Sequence, residues 1–212
     1  MDPESMFYVQ YGCGLSAPES WTNFDISPTL RLQKVPLIGR ALTRKGPSFP
    51  KGVRYGDIVT GLPLSPGSCK GVYCSHVLEH LSLADLRTAL RHTFELLRPG
   101  GTFRMVLPDL ELLAREYVES NDPQASMRFM RDSCLGHERR ARGVEGLARQ
   151  WMGNAAHLWM WDFKSLSHEL RDAGFVDVRR AQLGDSADPR FRDVEDPGRW
   201  NRNLGIECKR PA

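Results

Sequence analysis

The hydrophobic pattern is clearest between Gly71 and Asp109, where two short apolar runs flank an amphipathic segment. Residues 72–75 are β-prone and uncharged, as in a strand buried between two layers, and residues 103–107 form a second apolar run. Between them, four apolar side chains recur at helical spacing: Leu86, Leu90, Phe94 and Leu97. The pattern therefore predicts one complete strand, helix, strand unit.

Local signals mark the ends of this helix and predict the remaining elements. Ser82 with Asp85 favours a helix start, and Pro99-Gly100-Gly101 favours its end. Five more strands are predicted at residues 7–11, 22–26, 53–58, 175–179 and 204–208. Three more helices are predicted at residues 110–118, 124–134 and 163–173, the last capped by Asp162, with residues 136–154 irregular. The order is that of an α/β fold around a mostly parallel seven-stranded sheet.

The carboxyl ends of these strands gather polar and glycine residues. The first strand runs into Gly12-Cys13-Gly14, and the second and third end near Asp25 and Asp57. Residues 75–80 and Asp109 follow the strands of the central unit. Since ligands of open parallel sheets bind outside the carboxyl ends of the strands, this rim is where function is expected.

Composition limits the class of protein. The chain has 212 residues, 41% of them hydrophobic and 26% charged, which predicts a single domain over residues 1–212. Five cysteines without a CxxC pair argue against a disulfide framework and a cysteine-built zinc site. With a net charge of +3 and no apolar run of about twenty residues, we expect a cytoplasmic monomer or homodimer that binds neither membrane nor nucleic acid.

One basic segment stands apart from this balanced composition. Residues 26–56 contain no acidic residue and carry seven cationic ones: Arg31, Lys34, Arg40, Arg44, Lys45, Lys51 and Arg54. A connection this long is usually functional or disordered, so residues 27–52 are interpreted as a lid, the alternative being a solvated loop. A lid of this charge predicts an anionic acceptor.

Four motifs occur in register with these elements: Tyr11-Gly12-Cys13-Gly14; the pair Asp25 and Asp57; Ser75-His76-Val77-Leu78-Glu79-His80-Leu81; and Leu97-Arg98-Pro99-Gly100-Gly101. In this order the chain resembles the class I S-adenosylmethionine (SAM)-dependent methyltransferases, in particular a small, type 11-like subgroup with a shortened first loop. The resemblance is strong over residues 6–110 and looser over 156–210. It implies a Rossmann-like, doubly wound sheet with helices on both faces, and a helical insertion at residues 111–161 covering the acceptor side.

The resemblance also implies roles for individual residues. The expected cofactor is SAM, and its product is S-adenosylhomocysteine (SAH). The backbone of Gly12 to Gly14 is expected to contact the amino acid moiety, and Asp25 to accept hydrogen bonds from the ribose hydroxyls. Asp57 and Ile58 are expected to contact the adenine, and Ser75 and His76 to line the methionine side. The full expected cofactor set is Tyr11, Gly12, Cys13, Gly14, Asp25, Ile26, Asp57, Ile58, Ser75, His76 and His80. Structural roles stay open for two of these, since Asp25 could cap a helix at Pro28 and Asp57 could form a turn with Gly56.

The first loop departs from the usual pattern. Gly14 and Asp25 are 11 residues apart, where the dinucleotide fingerprint expects about twenty, so the first helix must be absent or a single turn. Fewer helix N-terminal amides would then face the cofactor. The short loop therefore leaves open the alternative that the chain is a catalytically degenerate, SAM-binding regulatory protein.

His76, Glu79 and His80 also spell HxxEH, a zinc-hydrolase signature. Because the motif directly follows a buried strand and His76 falls on the turn, we favour the methyltransferase, expect no metal, and keep a zinc hydrolase as the distant alternative. The preferred function is methyl transfer to a small molecule or sugar hydroxyl. The candidate bases are His76, Asp109 and His157.

Overall fold

A computed structural model of the chain describes residues 8–33, 35, 48–136 and 156–212. Its centre is a seven-stranded sheet in the order β3-β2-β1-β4-β5-β7-β6. The strands are β1 Tyr8–Tyr11, β2 Thr22–Asp25, β3 Arg54–Tyr55, β4 Cys69–Ser75, β5 Leu97–Pro108, β6 Val176–Ala181 and β7 Asn203–Lys209. The first five are parallel, whereas β7 runs antiparallel between β5 and β6. The predicted α/β fold is confirmed.

The helices have local causes. They are α1 Pro28–Gln33, α2 Leu83–Leu96, α3 Leu110–Glu119, α4 Ala125–Asp132, α5 Phe163–Asp172 and α6 Pro197–Trp200, with 3₁₀ turns at Leu78–His80 and Pro189–Asp193. Ser82 caps α2 by accepting from Asp85 N, and Asp162 caps α5 in a capping box, as predicted. No described helix combines the length and the apolar character needed to span a membrane.

Two predicted boundaries differ most from the structure. Helix α2 ends at Leu96 because Leu97 already pairs with Cys69, so β5 begins before the Pro99-Gly100-Gly101 signal. Strand β3 has two residues instead of the predicted 53–58, since the chain turns at Asp57, whose carboxylate accepts from Val59 N at 2.8 Å. Side-chain bonding to the backbone competes there with strand pairing.

The sheet buries apolar side chains on both faces. Val72, Cys74 and Phe103 point into the main core with α2 and α5, while Tyr73 and Val106 point to the opposite face, against Trp21 and Trp200. This alternation follows from the period of two along a strand. A sheet buried on both faces makes the rim at the strand ends the open surface.

The connection between β1 and β2 is as short as predicted. Residues 12–21 form turns and bends without a helix. A buried polar pair replaces the helix: Gln10 Nε2 donates to Asn23 Oδ1 at 2.8 Å, and Asn23 Nδ2 donates to the carbonyls of Pro18 and Trp21 at 2.9 and 2.8 Å. These bonds satisfy loop carbonyls that a helix would otherwise satisfy.

Parts of the two predicted insertions lie outside the described residues. In the basic lid these are 34 and 36–47, and in the 111–161 insertion they are 137–155. On either side of the first gap, Gln33 and Phe49 form a reciprocal pair: Gln33 Nε2 donates to Phe49 O at 3.0 Å, and Phe49 N donates to Gln33 Oε1 at 2.9 Å. Within the basic segment, residues 33 and 49 are thus held together across the gap.

Candidate active site

The loop after β1 has the backbone that its glycines permit. Gly12 and Gly14 have φ of +65° and +56°, where a side chain would be strained. A Cβ on Gly12 would collide with Val77, so that glycine lets the loop pack on the segment after β4. A Cβ on Gly14 would meet only Arg199 Nη2, at 4.0 Å. Beside Gly14 there is therefore open space bordered by a cation.

Asp25 holds this loop from the end of β2. Its Oδ2 accepts from Gly14 N at 2.8 Å and its Oδ1 from Ser27 N at 2.8 Å, while the side chain is only 8% exposed. The alternative that Asp25 caps the helix at Pro28 was wrong: Asp25 forms a turn to Ser27, and Ser27 Oγ accepts from Thr29 N in the first turn of α1, at 3.3 Å. A carboxylate has about four acceptor positions, so two remain for further donors.

Several predicted cofactor residues contribute side chains to the core. Tyr11 and Ile58 belong to the main apolar core, and burial raises the pKa of Tyr11 well above its ordinary value. Cys13 packs with Leu30 and Val53, and burial, followed by the charge of Asp25, raises its pKa to about 12. Ile26 is exposed. Any contact of Tyr11 or Cys13 with a cofactor would come through backbone atoms.

Arg199 was not predicted, yet it lies among the predicted residues. Its Nη1 donates to Ser75 O at 3.1 Å and to Ser75 Oγ at 3.3 Å, and its carbonyl lies 3.2 Å from His76 Nε2. Helix α6 carries it there from 124 residues further along the chain. Since that segment shows no motif, only the fold could place this cation at the rim.

A buried carboxylate follows β4. Glu79 is 1% exposed, and neither of its carboxylate oxygens has a hydrogen-bond partner among the described residues. His76 Nδ1 lies 3.2 Å from Glu79 Oε1, within ion-pair distance but outside hydrogen-bond geometry. A buried charge without donors is destabilising unless a cation lies against it.

Two more histidines complete this group. One ligand atom each of Glu79, His80 and His157 lie within 4.8 Å of one another, and the two imidazole rings are 5.0 Å apart. His157 is brought there because Leu158 N and Trp159 N both donate to Glu79 O, at 2.8 and 3.2 Å. We call His76, Glu79, His80 and His157 the rim cluster.

The three candidate bases differ in their surroundings. His76, at φ +54°, has a carbonyl against Nε2 and a carboxylate against Nδ1, so both nitrogens are engaged. His157 Nδ1 is buried and has no hydrogen-bond partner in the part of the chain that the structure describes. Burial lowers the pKa of this ring, an effect that the charge of Glu79 partly offsets. Asp109 caps α3 through Oδ1, and its Oδ2 lies 3.5 Å from Arg180 Nη1. Of the three, His157 has the unengaged nitrogen.

The fold is Rossmann-like, and ligands of such open sheets bind at the rim formed here by the ends of β1, β2 and β4. A family model described as a methyltransferase domain matches residues 13–180, and the chain belongs to that family. It is a SAM-dependent methyltransferase, with SAM as its cofactor.

The chain is similar to several solved structures, one of which, with a TM-score above 0.5, supports the fold. A SAM-dependent methyltransferase from Thermotoga maritima, described as a possible histamine N-methyltransferase, is 16% identical with a TM-score of 0.53, covering 96% of this chain and 81% of that one. A SAM-dependent methyltransferase from Archaeoglobus fulgidus has 16% identity, a TM-score of 0.49 and coverage of 96% and 85%. PigF with SAH has 16% identity, a TM-score of 0.47 and coverage of 96% and 49%, so this chain spans about half of PigF. A search of curated protein sequences found no match.

Proposed function

We propose that this enzyme transfers the methyl group of SAM to a hydroxyl of a small, anionic acceptor bound over the rim cluster. The observation that carries the proposal is a pair of basic groups, Glu79 and His157, whose buried atoms have no hydrogen-bond partner among the described residues. Glu79 lies four residues after β4, and Val77, between them, packs against Gly12 of the glycine loop. A hydroxyl acceptor needs such basic groups because its proton must leave as the methyl group arrives.

The residues at the ends of β1 and β2 fit the cofactor. The open space beside Gly14 allows a ligand to approach the backbone, and Arg199 provides a cation for the carboxylate of the methionine moiety. Asp25 keeps acceptor positions for the ribose hydroxyls although two backbone amides already donate to it. Asp57, partly exposed after β3, remains the candidate for the adenine amino group.

SAM supplies a methyl group bound to a positively charged sulfur, which leaves with the electron pair of the broken C–S bond. The acceptor oxygen forms the new bond to carbon, and its proton passes to the rim cluster. The protein mainly has to align acceptor and cofactor, because proximity and orientation supply most of the acceleration. His157 Nδ1, which is unengaged and has a lowered pKa, is the described nitrogen best suited to receive the proton.

The acceptor side extends over helices α3 and α4 and the segment that carries His157. Leu158 and Trp159 expose apolar surface next to the cluster, suited to the body of a small organic acceptor. The anionic character rests on the basic segment. Of its seven cations, Arg31 and Arg54 stack on Tyr55 and Phe24, 4.7 and 5.4 Å from the ring centroids. Lys34, Arg40, Arg44 and Lys45 lie outside the described residues, and the lid stays a prediction.

One observation favours a second candidate, a SAM-binding regulatory protein. The first loop is short, and Val77 packs tightly against Gly12, which leaves less room for a ligand there. No observation on the described residues favours the zinc hydrolase in this way. Residues 78–80 form a 3₁₀ turn and not the helix that would place His76 and His80 on one face.

The test is methyl transfer from radiolabelled SAM to pools of small molecules, grouped as hydroxy acids, sugar phosphates, neutral sugars and amines. We expect turnover with anionic hydroxyl compounds, weakened by salt more than SAH binding is. SAH binding without turnover on any pool would favour the regulatory protein. Replacing Arg40, Arg44 and Lys45 with Ala should raise KM for the acceptor and leave SAH affinity unchanged, and full activity of that variant would remove the anionic inference.

A further inference from the structure

We propose that Glu79, His80 and His157 bind a divalent transition-metal ion of the Zn²⁺ type. The donor set is one carboxylate and two imidazoles, with one atom of each within 4.8 Å of the others. Two histidines and a carboxylate are an established zinc ligand set, whereas Mg²⁺ and Ca²⁺ prefer oxygen ligands alone. The proposal departs from the sequence-based expectation of no metal.

The strongest argument is the concentration of unpartnered buried atoms. In the described part of the chain, five buried side-chain nitrogen or oxygen atoms lack a hydrogen-bond partner, and three of them are Glu79 Oε1, Glu79 Oε2 and His157 Nδ1. Native proteins leave few such atoms, and each calls for an explanation. One cation bound between them would satisfy the carboxylate and the imidazole together.

The proton on His80 points to the same arrangement. Its Nδ1 lies 3.2 Å from the carbonyl oxygen of Ala156, which can only accept, so Nδ1 carries the proton and Nε2 carries a lone pair. A carbonyl that fixes the tautomer of a histidine is the usual second partner of a metal-bound imidazole. Ala156 directly precedes His157, so the segment that supplies one ligand also orients the other.

The spacing requires a small closure. Zinc bonds of about 2.0 to 2.2 Å in a tetrahedron place ligand atoms roughly 3.3 Å apart, so atoms spread over as much as 4.8 Å must approach by about 1.5 Å. A small rotation of the His157 side chain can supply this, because Nδ1 has no hydrogen-bond partner among the described residues, although the ring must keep or exchange its contact with the backbone of Ser133. His76, 3.2 Å from Glu79, would support the carboxylate from outside the metal.

Three protein ligands leave a fourth position, as in catalytic zinc sites. With the metal bound, His157 could not also receive the proton, so the base role proposed for His157 applies to the metal-free enzyme. An acceptor hydroxyl bound at the fourth position would instead lose its proton to water, and more readily, because a bound cation lowers the pKa of a coordinated oxygen. This role rests on the proposed function. The metal site itself does not, since its ligands are defined without reference to the acceptor.

The experiment uses the tag-free full chain, freed of metal with a chelator and then titrated with Zn²⁺ against a chromophoric competitor. We expect one Zn²⁺ per chain, much weaker binding of Mg²⁺, and visible absorption of the Co²⁺ form typical of a site with nitrogen ligands. His80→Ala and His157→Ala should each weaken Zn²⁺ binding by more than about 100-fold, since loss of an outer partner alone costs roughly 10- to 100-fold. His168→Ala, at an exposed histidine on α5, is the matched control and should bind as the parent does.

Binding that is absent, or equally tight in His157→Ala, would overturn the site. Circular dichroism and thermal unfolding of each variant, measured with chelator, show that lost binding is not lost folding. Since the titration contains neither SAM nor acceptor, the two proposals fail separately. Zn²⁺ binding without methyl transfer removes the proposed function alone, and SAH binding with methyl transfer but no Zn²⁺ removes the metal site alone.

Discussion

Asp25 and Glu79 are both buried carboxylates at the carboxyl ends of parallel strands, yet their surroundings differ. Asp25 receives two backbone N–H donors at 2.8 Å, whereas Glu79 receives no hydrogen bond among the described residues. The charge of Asp25 is compensated by the fold itself. Among the described residues, the groups that face the Glu79 carboxylate are imidazoles, so a bound cation could compensate its charge. A site of the first kind is formed before its ligand binds, and one of the second kind is completed by it.

The largest effect is expected from replacing Asp25, the carboxylate whose charge the fold itself compensates. Asp25→Ala leaves the amides of Gly14 and Ser27 without an acceptor, and we expect it to lower the free energy of unfolding by about 2 to 4 kcal/mol. SAH should also bind more weakly. Asp25→Asn keeps one acceptor oxygen and should lose roughly half as much. Chemical denaturation and calorimetry measure both quantities, and unchanged SAH affinity in Asp25→Ala would exclude this residue from the ribose site.

Arg199 tests whether the open space beside Gly14 holds the cofactor carboxylate. Arg199→Met keeps much of the side-chain length and removes the charge, so SAM and SAH should bind about tenfold more weakly, roughly 1.4 kcal/mol. Adenosine, which has no carboxylate, should bind equally to both proteins. Equal loss for adenosine and SAH would indicate a purely structural role through Ser75.

Glu79→Gln tests whether the charge of the second carboxylate is compensated in the metal-free protein. In metal-free protein the free energy of unfolding should change by less than about 1 kcal/mol or increase, because the variant removes a buried charge that lacks donors. Denaturation in the presence of chelator gives this value. A clearly larger loss would show that the contact with His76 already compensates the charge.

The smallest effect is a pH dependence from His157. Burial lowers the pKa of this histidine, so below its ordinary value of 6.5 the unfolded chain binds the proton more readily than the folded chain does. Stability of the metal-free protein should therefore decrease as the pH falls through about 6.5 and level off once the folded form is also protonated. His157→Asn should lack this part of the pH profile. The measurement is thermal unfolding from pH 8 to 5. An identical pH profile for the parent protein and His157→Asn would contradict the prediction.

The sequence predicted what local pattern determines. Ser82, Asp162 and the apolar repeat of α2 act within a few residues, so their consequences can be read directly. Asp25 and Gly14 were placed together because parallel strands share a rim. The extent of β5 was missed because pairing with β4 overrode the Pro-Gly-Gly signal.

His76, His80 and His157 were each named from the sequence as site residues, but their grouping with Glu79 was not predicted. The HxxEH spacing offered His76 with His80 only as the distant alternative, whereas the structure places the rings of His80 and His157 5.0 Å apart. Ala156, the neighbour of His157, is 76 residues from His80, so no local pattern could show this contact. The segment around His157 is held by backbone hydrogen bonds from Leu158 N and Trp159 N to Glu79 O. Every residue has a backbone carbonyl, so no residue type marks this contact in the sequence. Arg199 had no signal for the same reason.

The reciprocal bonds between Gln33 and Phe49 have a consequence for evolution. They join residues 33 and 49 to each other, so the sheet is connected to the same two points however many residues lie between them. Closing a loop twice as long costs only about 0.6 kcal/mol more. Insertions and deletions between residues 33 and 49 should therefore cost little stability, and if the proposed lid role holds, acceptor preference could diverge there without changing the sheet.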